Sequence, residues 1–125
     1  DHECFTLKEA LEKIEHGMSI LIREGSAAKN FEALWPLLKS HPGRTMFCTD
    51  DAHPDYLLSG QINRQVARAV RNGVNPFDAL QAAVLNPARH YGLSVGFLQR
   101  NHPADLIVVD SFDEMNVREC WIDGA

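Results

Sequence analysis

Two short apolar runs constrain this chain more than anything else in it. Met18–Ile22 follows Gly17 and stops at Arg23-Glu24, and a run opening at Thr45 passes through Met46-Phe47-Cys48 to Asp50-Asp51. Each is brief, apolar and closed off by charge or a turn former, which is the signature of a buried strand. Helical pattern precedes each one. Thr6 and Glu9 form a capping box, Leu7, Ala10, Leu11 and Ile14 fall at i, i+3, i+4 and i+7, and Gly17 stops that helix. Ser26–Lys39 carries an apolar stripe of Ala27, Phe31, Leu34, Leu37 and Leu38, with Pro36 set to break or kink it, and His41-Pro42-Gly43 is a turn. Helix, strand, helix, strand with short connections predicts an α/β fold with a parallel sheet and right-handed crossovers.

Beyond Asp50 the pattern turns helical. Leu58, Ile62, Val66 and Val70 recur every four residues, Arg64, Arg68 and Arg71 take other faces, and Gly73 ends the helix. Asn75-Pro76 supplies a cap and a first-turn proline for a helix with Phe77, Leu80, Ala83 and Val84 on one face; Asn86-Pro87 ends it, and Pro87–Gly92 is a further short helical turn. From Leu93 the composition shifts. Ala104–Asp110 and Val117–Ile122 read as strands, with Asp123-Gly124 as a hairpin-type turn. No helix lies between these strands, so they are expected to form an antiparallel unit of residues 93–125, separate from the α/β part of residues 1–92.

At 125 residues and 45% hydrophobic, the chain can bury one core, yet it falls short of the roughly 250 residues of an eightfold β/α barrel. The formal charge of −5 is spread without a basic patch, which argues against nucleic acid as a partner. No run approaches the 18 or so apolar residues of a membrane span. Cys4, Cys48 and Cys120 are odd in number, widely spaced and lack a CxxC, which points to reduced thiols in a cytoplasmic protein. The missing CxxC also excludes a zinc ribbon and the zinc deaminases with a P-C-x-x-C signature. The chain opens at Asp1 without Met or a signal-like segment, as a fragment or processed piece does.

In parallel α/β folds chemistry sits at the carboxyl ends of strands. Asp50, expected as the last residue of its strand, is therefore a candidate catalytic carboxylate; Asp50 or Asp51 equally suits the N-cap of the following helix. Asp1-His2-Glu3-Cys4 sets an imidazole between two carboxylates, a combination that binds divalent first-row metals, and it is also what a solvated chain end looks like. Arg23-Glu24 closes the other strand, where an ordinary surface ion pair is the plainer expectation.

Three separated stretches resemble the carboxyl-terminal part of the amidohydrolase superfamily: the strand ending in Thr49-Asp50, Leu85-Asn86-Pro87-Ala88-Arg89-His90-Tyr91-Gly92-Leu93, and Val95-Gly96-Phe97 through Pro103-Ala104-Asp105-Leu106-Ile107-Val108-Val109-Asp110. Phe97 and Gln99-Arg100-Asn101-His102 make the last copy irregular. Within that superfamily the chain is similar to the bacterial adenine deaminases in Asp1–Cys4, Ile22-Arg23-Glu24-Gly25-Ser26-Ala27-Ala28-Lys29-Asn30, Cys48-Thr49-Asp50-Asp51 with His53-Pro54-Asp55, and Asn86–Leu93.

This resemblance implies the last strands and helices of a metal-dependent (β/α)8 TIM-type barrel, followed by strands of a small sandwich domain. It places His2 at the end of barrel strand six as a metal ligand, Met18–Glu24 as strand seven, and Asp50 at the end of strand eight, touching both the metal and the attacking water. Glu3, Arg23, Glu24, Asp51 and His53 would line the same rim. The implied cofactor is a divalent metal at a binuclear site, with Mn or Fe favoured over Zn; the implied substrate is a purine base, converted in purine salvage. The family's His-x-His pair, fourth-strand carboxylate and fifth-strand His have no counterpart here, so the rest of the barrel becomes an implied partner, and truncated sheet edges imply a homo-oligomer. Other readings are an amidohydrolase acting on a cyclic amide or N-acyl group, and a non-catalytic assembly piece.

Overall fold

The computed structural model describes all 125 residues. Helix α1 spans Leu7–Glu15, and the Thr6 hydroxyl accepts the Glu9 N–H at 3.2 Å as the capping box requires. The reciprocal Glu9 carboxylate reaches the N–H of Phe5 rather than that of Thr6. Ala10 is fully buried, whereas Leu7 and Leu11 stay partly exposed, so the apolar stripe of α1 is only half covered by this chain.

Strand β1 is Ile20–Arg23 and β2 is Thr45–Cys48; they pair in parallel, from Ile20 opposite Thr45 to Arg23 opposite Cys48. β1 therefore begins and ends later than the apolar run predicts. Pairing partners, not hydrophobicity, set its bounds, and Met18 is left outside the strand and exposed. Residues Asp1–Cys4 run along the other edge of β1, where Leu21 N–H donates to the Asp1 carbonyl at 2.8 Å. The Asn30 amide fastens that segment by donating to the carbonyls of His2 at 3.3 Å and Cys4 at 2.9 Å. β2 has no strand on its outer side.

The helix predicted over Ser26–Lys39 is two short ones, α2 (Phe31–Leu34) and α3 (Leu37–Ser40), separated at Trp35-Pro36. Ser26–Asn30 is loop, because these residues bond to distant parts of the chain rather than to one another. Phe31, Leu34, Leu37 and Leu38 are fully buried and join Ile20, Ile22, Phe47 and Val66 in one core.

After β2 come α4 (Pro54–Leu57), α5 (Ile62–Arg71) and α6 (Pro76–Leu80). Leu58 was expected on the buried stripe of α5 but is 89% exposed, since Gly60, at φ +125°, breaks the chain before the helix starts. Asn75 caps α6 through the Phe77 N–H as its position predicts. Asn86-Pro87 does not end the helical path: a π-turn over Gln81–Leu85 leads into α7 (Asn86–Tyr91), where Pro87 sits in the first turn and needs no donor, and Gly92 at φ +63° closes it. The buried Asn86 amide donates to the carbonyls of Pro42 at 2.6 Å and Thr45 at 2.7 Å, tying α7 to the entrance of β2. Asn86→Ala removes the Asn86 donor from the buried Thr45 carbonyl and leaves the half-buried Pro42 carbonyl only the Thr45 hydroxyl, and it is expected to cost about 1–3 kcal/mol of stability. A shift of the urea midpoint at unchanged slope is the check, and an unmoved midpoint refutes it.

Strands β3 (Leu106–Val109) and β4 (Val117–Trp121) form a separate antiparallel ribbon with a bulge between Val108 and Val109. Their connection is 110–116, so Asp123-Gly124 is not the hairpin turn; it folds back after β4, where the Gly124 N–H reaches the Ala104 carbonyl at 3.1 Å. The ribbon is anchored by buried Met115, whose carbonyl takes the Asn63 amide at 3.0 Å, and by Val109 packed on the core. Ile107, Val108, Val117, Trp121 and Ile122 remain exposed. No helix is long and apolar enough to cross a membrane.

Candidate functional site

Parallel, in-register pairing brings the carboxyl ends of β1 and β2 to one edge, and the segments that leave them, 24–30 and 49–53, lie side by side there. Asp50 is not the last strand residue: pairing stops at Cys48, and Asp50 stands two residues on, in a turn with φ +45°. It does not cap α4, whose N-cap is His53.

Arg23 is the centre of this edge. Its side chain is only 9% exposed, and its guanidinium holds three carboxylates: Glu3 through Nη1, and through Nη2 both Asp50 Oδ2 at 2.5 Å and Asp51 Oδ1 at 3.1 Å. The surface ion pair expected of Arg23 with Glu24 does not form. His2 joins through Glu3, with Nε2 3.4 Å from Oε1. Five of the residues singled out in the sequence, His2, Glu3, Arg23, Asp50 and Asp51, are thus linked in one network.

Three carboxylates against one guanidinium leave two negative charges uncompensated at the rim. The Ala27 N–H, donating to Asp51 Oδ2 at 2.9 Å, and then Arg23 hold the Asp51 carboxyl below its ordinary range, and the bond to Asp51 in turn raises Arg23. The two adjacent acids therefore differ: Asp51 is tied at both oxygens, while Asp50 meets Arg23 alone.

Glu24 and His53 lie outside the network. Glu24 turns to Arg68 at 2.9 Å, and that guanidinium also holds Glu32 and covers the Phe31 ring 4.3 Å from its centroid. The His53 ring is 69% exposed and 3.4 Å from Asp55, and only its backbone N–H reaches back, to Ser26 Oγ at 2.8 Å. Sequence reasoning missed Ser26, Ala27 and Asn30 as parts of the site. Asn30 is buried and accepts the Arg23 N–H at 2.6 Å, and the one signal for it is a polar residue set directly before the apolar Phe31.

A second group could suggest a metal site, since ligand atoms of Asp1, Cys4 and Glu9 lie within 4.8 Å of one another. The Lys13 ammonium already occupies it, 2.5 Å from Asp1 Oδ2 and 2.6 Å from Glu9 Oε1. That group is a closed ion cluster. At the rim, His2 and Asp50 are both partly exposed and supply imidazole nitrogen and carboxylate oxygen, the donor types that divalent first-row metals take.

Beneath the rim, burial and then the Asp50 charge push the Cys48 thiol up to about 11. At pH 8 such a thiol holds roughly two-hundredfold less thiolate than an ordinary one near 8.5, and its reactivity is expected to rise about tenfold per pH unit toward its pKa. Mass spectrometry of iodoacetamide-treated protein between pH 7 and 10 measures this, and a flat profile refutes it.

Comparison with known proteins adds three findings. The model of the amidohydrolase family matches residues 3–125. The chain is 54% identical over 125 residues to an adenine deaminase of Salinibacter ruber, covering 100% of this chain and 23% of that protein. To the adenine deaminases of Methanosarcina mazei and Borreliella burgdorferi it is 50% and 47% identical, over 99% of this chain and 22% and 23% of theirs. The chain spans less than a quarter of the length of these curated relatives. A crystal structure of a beta-aspartyl dipeptidase from Fervidobacterium islandicum AW-1 matches 94% of this chain and 33% of its own at a TM-score of 0.74 and 17% identity, a likeness of fold alone.

Proposed function

Because this chain belongs to the amidohydrolase family, we propose that it forms the closing strands of a metal-dependent (β/α)8 barrel and the first strands of a sandwich domain, within a protein that hydrolytically deaminates adenine. The relatives near 50% identity along the whole chain support the substrate. The observation that carries the chemistry is the gathering of Asp50, Glu3 and His2 around Arg23 at the carboxyl edge of a parallel sheet. The bare outer edge of β2 and the exposed apolar residues of the β3–β4 ribbon support a continuation of both sheets by other parts of the same protein.

In this reading His2 and Asp50 would hold a divalent metal, which when bound would acidify water enough to supply hydroxide near neutral pH. Asp50 takes a proton from the attacking water and passes it to the exocyclic amine. A carbon–oxygen bond forms, the carbon–nitrogen bond breaks, and hypoxanthine and ammonia leave. Two ligands cannot secure a metal centre, so the 125-residue chain by itself is expected to release no ammonia.

Ammonia release by a full-length protein carrying this segment, assayed on adenine, a dihydropyrimidine and an N-acetyl sugar, tests the reading. Adenine alone is expected to react, with activity lost on chelation and regained with added Mn or Fe. Turnover of the cyclic amide or the N-acetyl sugar instead would reassign the substrate, and full activity after exhaustive chelation would reject the metal.

A further inference from the structure

The segment Arg23–Ala27 places one group after another on the turn that carries Asp50. Arg23 Nη2 meets Asp50 Oδ2 and Asp51 Oδ1. Ser26 Oγ accepts the His53 N–H at 2.8 Å, and the Ala27 N–H donates to Asp51 Oδ2 at 2.9 Å. Gly25 makes these meetings possible: a Cβ there would stand 2.0 Å from Asp51 Oδ1 and 3.2 Å from Arg23 Nε. The segment is itself braced, since the Arg23 N–H donates to Asn30 Oδ1 at 2.6 Å and the Gly25 N–H to the Ala28 carbonyl at 3.0 Å.

What it holds needs holding. Asp50 lies at φ +45°, a region that residues with a side chain adopt at a cost and keep only where their surroundings impose it. Three contacts from the segment grip the residues just after it, two at Asp51 and one at His53, and the Glu24 N–H donates to the Cys48 carbonyl at 3.1 Å before it, so the turn is fixed on both sides of the strained position.

We propose that Arg23 and Asp51 are positioning residues: the 23–27 segment clasps the 49–53 turn and so sets the direction of the Asp50 carboxylate. This rests on the reading of Asp50 as the reacting acid. It assigns Asp51 a part different from that of its neighbour, anchoring the turn while Asp50 faces the substrate. A reacting group displaced by about 1 Å loses on the order of a hundredfold in rate, so failure of the clasp appears in turnover rather than in binding.

The test uses Arg23→Lys, which keeps the charge and loses the two-armed fork, Arg23→Ala, and Asp51→Ala in a full-length protein carrying this segment. Each is expected to lower kcat for adenine about 10- to 100-fold while KM moves less than roughly threefold and metal content stays that of the unsubstituted protein. Guanidinium ion at millimolar concentration should restore part of the turnover of Arg23→Ala. Hydrogen exchange at the amides of Ala27 and His53 should quicken in Asp51→Ala. Faster exchange with unchanged kcat would overturn the positioning role, and unchanged exchange would overturn the clasp. Loss of metal from Asp51→Ala would make Asp51 a ligand instead. If the unsubstituted protein leaves adenine untouched, the substrate reading falls, and exchange at Ala27 and His53 still decides whether the clasp exists.

Discussion

Asp50→Asn, made in a full-length protein carrying this segment, is expected to lower kcat for adenine by about two to four orders of magnitude, the usual contribution of a positioned general acid–base group. The change is chosen for what it leaves alone. Asn matches Asp in shape, and it is among the few residues that accept a positive φ, so the turn at φ +45° is retained. An amide oxygen can still face Arg23 where Asp50 Oδ2 now lies, 2.5 Å from Nη2. What is lost is the ability to take a proton from water, together with the anionic oxygen offered to the metal, so metal content is measured on the same variant. Asp50→Ala would mix that loss with backbone strain and a freed guanidinium, and would be harder to read. Steady-state kinetics beside a thermal melt provide the measurement: a melt close to that of the parent with turnover within tenfold of it would remove Asp50 from the chemistry.

Local chemistry was the legible part of this molecule. Thr6 caps α1 and Asn75 caps α6 because each bond spans two or three residues, and short-range donors and acceptors can be read in order along the chain. The two parallel strands were also visible, but their limits were not. Register with Thr45–Cys48 admits Arg23 to β1 and leaves out Met18, and no property of residues 18–23 alone reports that pairing.

The error over Ser26–Asn30 has the same origin. Ala27-Ala28-Lys29 favours helix, yet the Ser26 hydroxyl, the Ala27 N–H and the Asn30 amide are engaged by His53, Asp51 and the Asp1–Cys4 segment, more than twenty residues away. The sequence exposed the ingredients of the rim, with Asp50 and Asp51 at a strand exit and Arg23 at another. That one guanidinium gathers them, and that Arg23 is buried rather than solvated, depends on a crossover bringing two strand ends together. His2 came from family resemblance, since three polar residues before a helix have no distinctive local pattern; the structure places them beside β1 through the hydrogen bond from Leu21 N–H to the Asp1 carbonyl.

Phe31→Ala is expected to be among the most damaging single core changes, at about 3–5 kcal/mol, a large share of the roughly 5–15 kcal/mol that holds a domain folded. The ring is fully buried, stacks on Phe47 with centroids 6.3 Å apart, and carries the Arg68 guanidinium over it at 4.3 Å. Its removal opens a cavity between α2 and β2 and withdraws the aromatic face beneath Arg68, whose bonds to Glu24 and Glu32 then lack their packing. Phe31→Leu refills most of the volume and should cost clearly less, because cores tolerate hydrophobic exchange of similar size better than truncation. The residue follows Asn30 directly, so a slackened α2 should also loosen the amide that fastens Asp1–Cys4 and with it the placement of His2 and Glu3. Urea unfolding of the two variants separates the contributions: the alanine midpoint should fall well below the leucine one at similar slope. Equal midpoints would mean that leucine recovers none of the packing the ring supplies, and an alanine loss under about 1 kcal/mol would mean that the core is not built around Phe31.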